Sequence, residues 1–181
     1  MNIMPRRAFT LIELLVVIAV IGLLATIAVV ALENSRIQAR NANRIANIKQ
    51  LINTFNLGLT DSGSYPDSGL GCGGGGGFVC ISASCLGDWA PCTGDETAAV
   101  DSLFSKYLAG KPVDPSAGTR SRGGFMYNSH YPLTTVPSGI VIPAGAVIEY
   151  ELEKPITTCQ LGQLYSNSPS FTECIVSLDN P

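Results

Sequence analysis

Residues 9–32 read FTLIELLVVIAVIGLLATIAVVAL, Phe9 to Leu32, and the fold hangs on how this stretch is taken. Glu13 is its only charge, and from Leu14 to Leu32 there is no charge, no proline and no amide side chain. At about 1.5 Å per residue such a helix spans roughly 36 Å, enough to cross a hydrocarbon core of about 30 Å. Ahead of it stand MNIMPRRA, residues 1–8, with Arg6 and Arg7. A secretory signal peptide shares the basic start, but its apolar region covers about 7–15 residues and ends in an A-x-A-type site. This run is longer, and Ala25, Ala28 and Ala31 do not make that pattern. A plain membrane anchor fits the length and leaves Glu13 unexplained, because a carboxylate in lipid needs a proton or a partner.

The segment RRAFTLIELLVVIAVIGLLA, residues 6–25, resembles the N-terminus of type IV pilins and of the pseudopilins of type II secretion. That resemblance implies processing by a prepilin peptidase between Ala8 and Phe9, with N-methylation of the new Phe9 amine. It also implies assembly through Phe9 and Glu13, the carboxylate of one subunit meeting the Phe9 ammonium of its neighbour. Pairing would neutralise two charges in an apolar setting, where either alone is costly. The implied map is a leader at 1–8, a long helix at 9–60 whose 9–32 half crosses the membrane and polymerises, and a globular head at 61–181. The implied partners are other copies in a helical filament, the peptidase, an inner-membrane assembly platform and membrane lipid. The implied location is a single-pass inner membrane protein with its N-terminus inside, then a surface filament. A secretion or DNA-uptake pseudopilin is the close alternative; an uncut, single-pass surface domain is the distant one. Two features depart from the usual pattern. Ala8 stands where glycine usually precedes the cut, and no proline lies between Pro5 and Pro66, so no proline kink is expected near Val29 and Val30.

At 181 residues and a mean hydropathy of +0.27, the chain fits one domain plus a membrane helix. Its net charge of −3 gives no basic face for nucleic acid. Six cysteines point to an oxidising compartment. The charges pull the other way: Arg36, Arg40, Arg44 and Lys49 after the apolar run would by themselves keep the C-terminal part in the cytoplasm. Cysteines and leader together favour an outward head, since long domains translocate largely regardless of charge.

Beyond Leu32 the helix continues to about residue 59. Ile37, Ile45, Ile48, Ile52, Phe55 and Leu59 recur at helical spacing and predict a stripe buried on the head. The arginines at four-residue spacing read as a solvated basic ridge. Asp61–Pro66, DSGSYP, stops the helix, as similar Gly-x-Tyr-Pro endings do in small pilin-like proteins. Residues 67–94 form a glycine- and cysteine-rich loop. Gly71, Gly73 and Gly76 match G-x-G-x-x-G only because glycine is everywhere, and neither the strand nor the helix of a nucleotide site flanks them. Cys72, Cys80, Cys85 and Cys92 read as disulfides rather than zinc ligands, with three pairings open among them.

A second short helix is expected from Thr93 to Gly110, capped by a Thr93–Glu96 box, with Val100, Leu103, Phe104, Tyr107 and Leu108 facing the core. Short strands are expected at Phe125–Tyr127 and Ile140–Ile142. In Val147–Glu153, alternation predicts Ile148, Tyr150 and Leu152 on the core and Glu149, Glu151 and Glu153 in water. The expected class is therefore α+β, a long N-terminal helix packed on a small antiparallel sheet. The resemblance adds a C-terminal disulfide loop, Cys159–Cys174. No enzyme is expected: His130, the only histidine, lies in an expected loop with no frame for a triad. No cofactor is expected either; Asp88, Asp95, Glu96 and Asp101 are the candidate calcium ligands, without EF-hand spacing.

Overall fold

The computed structural model describes residues 9–71, 77–94, 96–115, 122–136 and 139–179. Ala8, Cys72 and Asp95 lie outside them. The elements run α1 (Leu11–Ser62), β1 (Val79–Cys80), β2 (Leu86–Gly87), a 3₁₀ turn (Ala90–Cys92), α2 (Ala98–Tyr107), β3 (Arg122–Gly123), β4 (Phe125–Tyr131), β5 (Thr134–Thr135), β6 (Val141–Ile142), β7 (Gly145–Glu153), β8 (Gln163–Asn167) and β9 (Phe171–Ser177). The class is α+β. The chain divides into two compact units after Ala39, inside α1 rather than at its end.

In the first unit every residue from Phe9 to Arg36 is exposed. By length and composition this helix is long and apolar enough to cross a membrane: its best window has a mean hydropathy of 3.1, and none of that window is buried.

The second unit begins at Arg40 and is built on a five-stranded antiparallel sheet, in the order β1-β4-β7-β9-β8. One sheet face carries Phe125, Tyr127, Ile148, Tyr150, Leu152, Cys174 and Val176. Ile45, Ile48, Leu51 and Phe55, successive turns of one α1 face, fill the same core with Val100, Leu103 and Phe104 of α2. Phe55 stacks on Tyr127 at 4.3 Å and meets the edge of Phe104 at 5.8 Å. Gly58 lets α2 come close, since a Cβ there would lie 2.4 Å from Leu103 Cδ1. The stop at DSGSYP acts through hydrogen bonds. Gly63, at φ +78°, donates its N–H to Leu59 O, and Tyr65 donates its hydroxyl to Leu178 O at 2.9 Å.

Three expectations need correction here. Glu149 and Glu151 do not face water; they are 7% and 1% exposed. β7 is the central strand, and its second face is also covered. Tyr131, Val136 and Ile142 pack on Val147 and Ile175, while Cys80, Cys85, Trp89 and Cys92 pack around Met126. Of the arginine ridge only Arg36 is solvated. Arg44 is fully buried, with Nε 2.6 Å from Asp114 Oδ1 and NH1 donating to Asn41 Oδ1 at 2.8 Å. Its NH2 lies 2.9 Å from Glu153 Oε1, an ion contact rather than an aligned hydrogen bond. Arg40 forks onto both oxygens of Glu153, at 2.8 and 2.5 Å. Third, α2 starts at Ala98 under an N-cap of Thr97, whose Oγ accepts from Val100 N–H. Thr93 closes the 3₁₀ turn instead, and its Oγ accepts the Cys85 N–H at 2.9 Å.

Candidate functional site

The N-terminal segment is organised locally by Thr10 and Glu13. Thr10 N–H and Thr10 Oγ both donate to Glu13 Oε2 at 2.8 Å, and Glu13 N–H donates back to Thr10 Oγ at 3.3 Å. This is a reciprocal capping box, Thr-x-x-Glu, which satisfies two of the donors that every helix start leaves open. The sequence reading gave Glu13 one role, toward a neighbouring chain, and missed this one, although T-L-I-E is the box signature. Both bonds fall on one carboxylate oxygen. Oε1 carries none of the hydrogen bonds seen among the described residues, and Phe9 beside it is 83% exposed. Glu13 is thus held in one rotamer with a free oxygen, at the head of an apolar helix whose sides are bare.

The cysteines are disulfide-bonded wherever they are described. Cys80 joins Cys85, and Cys159 joins Cys174. Cys92 is disulfide-bonded too. Cys80–Cys85 closes the loop that covers the second sheet face. Cys159–Cys174 ties the segment before β8 to the core side of β9.

His130 lies in β4, not in a loop. Its Nδ1 is 2.7 Å from Ser129 Oγ and 3.7 Å from Asp67 Oδ1, so serine and aspartate crowd one ring nitrogen. A Ser-His-Asp relay needs them on opposite nitrogens. Of the acidic residues weighed for calcium, Glu96 and Asp101 both pair with Lys111. Among the described residues no three His, Cys, Asp or Glu side chains are gathered as ligands would be.

Fold and segment together define an α+β protein whose long N-terminal helix begins with an apolar run long enough to cross a membrane. Residues 3–29 match the family model of the prokaryotic N-terminal methylation motif, so the chain carries the prepilin-type signal of type IV pilins and pseudopilins. The match covers the leader and most of the apolar run and leaves the head unmatched. No curated protein and no solved structure matches the chain significantly.

Proposed function

We propose that the chain is a structural subunit of a type IV pilus-like filament. It is inserted as a precursor with its N-terminus inside, cut between Ala8 and Phe9, methylated on the Phe9 amine, and polymerised through residues 9–32. Its role is architectural, without enzymatic activity or cofactor. The observation that carries this reading is the Thr10–Glu13 box inside the methylation motif. It presents one bonded and one open carboxylate oxygen next to the residue whose amine the cut would free. In a monomer the cap satisfies Glu13. In a filament the open oxygen takes a neighbour's Phe9 ammonium, and the two charges leave water together.

The box also sharpens the test. Glutamine serves as well as glutamate at the third position of a capping box. Glu13→Gln therefore keeps the cap and removes only the charge. Insertion and cleavage should survive, and the yield of sheared surface filament relative to membrane-pool subunit should fall several-fold. Intact mass of the native protein should begin at Phe9 with a methylated amine. A membrane-resident chain that keeps residues 1–8 would replace this reading with the uncut anchor. Glu13→Gln filaments at wild-type yield would remove Glu13 from assembly.

A further inference from the structure

Glu96, Asp101 and Lys111 form a cluster that the filament reading does not use. Glu96 directly precedes the N-cap of α2, Asp101 lies in its first turn, and Lys111 follows its end. The Lys111 ammonium lies against Glu96 Oε1, and its Nζ is 3.3 Å from Asp101 Oδ1. The Glu96 side chain is only 6% exposed, and its buried Oε2 has no hydrogen-bond partner among the described residues. Lys111 is 27% exposed, whereas Asp101 reaches water at 55%. The backbone that carries Lys111 is held on two sides. Pro112 O accepts the Ala83 N–H at 2.9 Å, and Val113 O accepts from Asn47 Nδ2 at 3.0 Å. Amine and carboxyl thus meet in a fixed geometry, largely out of water.

We infer that Lys111 and Glu96 join in an intramolecular amide bond, with Asp101 as the proton-transfer group. Desolvation disfavours the ammonium–carboxylate pair, and a proton moving from Lys111 to Glu96 gives a neutral amine and a neutral carboxylic acid. Burial of Lys111 holds its ammonium below the usual lysine range, in the same direction. The amine lone pair attacks Glu96 Cδ. The Asp101 carboxylate takes a proton from the nitrogen and returns it to the departing oxygen. An Nζ–Cδ bond forms, a Cδ–O bond breaks, and one water leaves; no oxidant or further reactant enters. Fixed proximity substitutes for activation of the acid. As an ion pair the site leaves Glu96 Oε2 unsatisfied among the described residues, a cost that the pairing alone does not remove. The product clasps residues 97–110, so that α2 is closed at both ends by a covalent bond that reductants do not open.

The measurement is the intact mass of the full chain after complete reduction. It should fall short of the sequence mass by one water. Cleavage after Lys106 should leave the peptides carrying Glu96 and Lys111 joined. Lys111→Arg should restore the full mass. Glu96→Gln should give the same cross-linked product with loss of ammonia in place of water, a signature that ordinary dehydration of an aspartate does not produce. Asp101→Asn should slow the mass change at least several-fold. Full mass in the wild type, with the two peptides recovered separately, overturns the bond. An unchanged rate in Asp101→Asn overturns the role of Asp101.

Discussion

Arg44 has no exposed surface and holds two carboxylates and an amide at once. Such a residue adds little over a well-packed apolar side chain, yet removing it strands charges that cannot reach water. Arg44→Ala should therefore destabilise the head by about 3–5 kcal/mol, read as a lowered urea midpoint. Arg44→Lys should recover only part, since one ammonium cannot replace the fork. Glu153 gives the same network a pH signature. Burial pushes its carboxyl up, but Arg40 and Arg44 outweigh that and hold it below the usual glutamate range. With the folded value lowered, its contribution is complete above the ordinary value of 4.5 and is lost as pH falls through the folded one. Wild-type stability should fall more steeply below that value than the stability of Glu153→Gln. Parallel acid limbs would mean that the Arg40–Arg44–Glu153 contacts do not persist in solution.

At the scale of elements, α2 gives the sharpest contrast. Thr97→Ala removes the side-chain acceptor of Val100 N–H and a bond to Asp67 O, and it should cost about 1 kcal/mol with faster exchange at the Val100 amide. Thr93→Ala should leave that amide protected and loosen the Cys85 turn instead. The reverse result would restore the Thr93–Glu96 box. The sequence suggested that box because its letters are right; the chain declines it because Thr93 and Glu96 find other partners, Cys85 N–H and Lys111. The long helix, its stop, the buried face of α2 and the core residues of β7 were legible, since each is written in a periodicity or a local turn signal. The second face of β7 was not. Its cover comes partly from Cys80, Cys85, Trp89 and Cys92, far earlier in the chain, and partly from Val136 and Ile142 just before it, and no periodicity says that either folds back over that face. Arg40 and Arg44 were misread for a related reason: their partners, Asp114 and Glu153, lie 70 and 113 residues away. At the site, the resemblance carried by residues 6–25 pointed to Phe9 and Glu13. The capping role of Glu13 was written in the same four letters and passed over.

For the whole molecule, the boundary after Ala39 separates two kinds of stability. The first unit buries no described side chain, and its apolar surface stands bare. The second unit buries side chains from Arg44 onward and draws Arg40 and Asn41 into its polar contacts. Two of the four cations that follow the apolar run are thereby engaged with carboxylates, which weakens the charge count that opposed an outward head. It also fixes where the chain can be shortened. A chain beginning at Glu33 keeps Arg40, Asn41 and Arg44 with their partners, and it should be soluble without detergent and unfold cooperatively in urea. A chain beginning at Ile45 keeps the buried apolar residues of α1, Ile45, Ile48, Leu51 and Phe55, but leaves Asp114 and Glu153 without either arginine. Stranding them should cost about 3–5 kcal/mol out of a typical total of roughly 5–15, so its urea midpoint should drop by a third or more. Adding Asp114→Asn and Glu153→Gln to the shorter chain should recover much of that loss, because the removed charges no longer need partners. Equal midpoints for the two lengths would show that the apolar stripe alone holds α1 to the sheet.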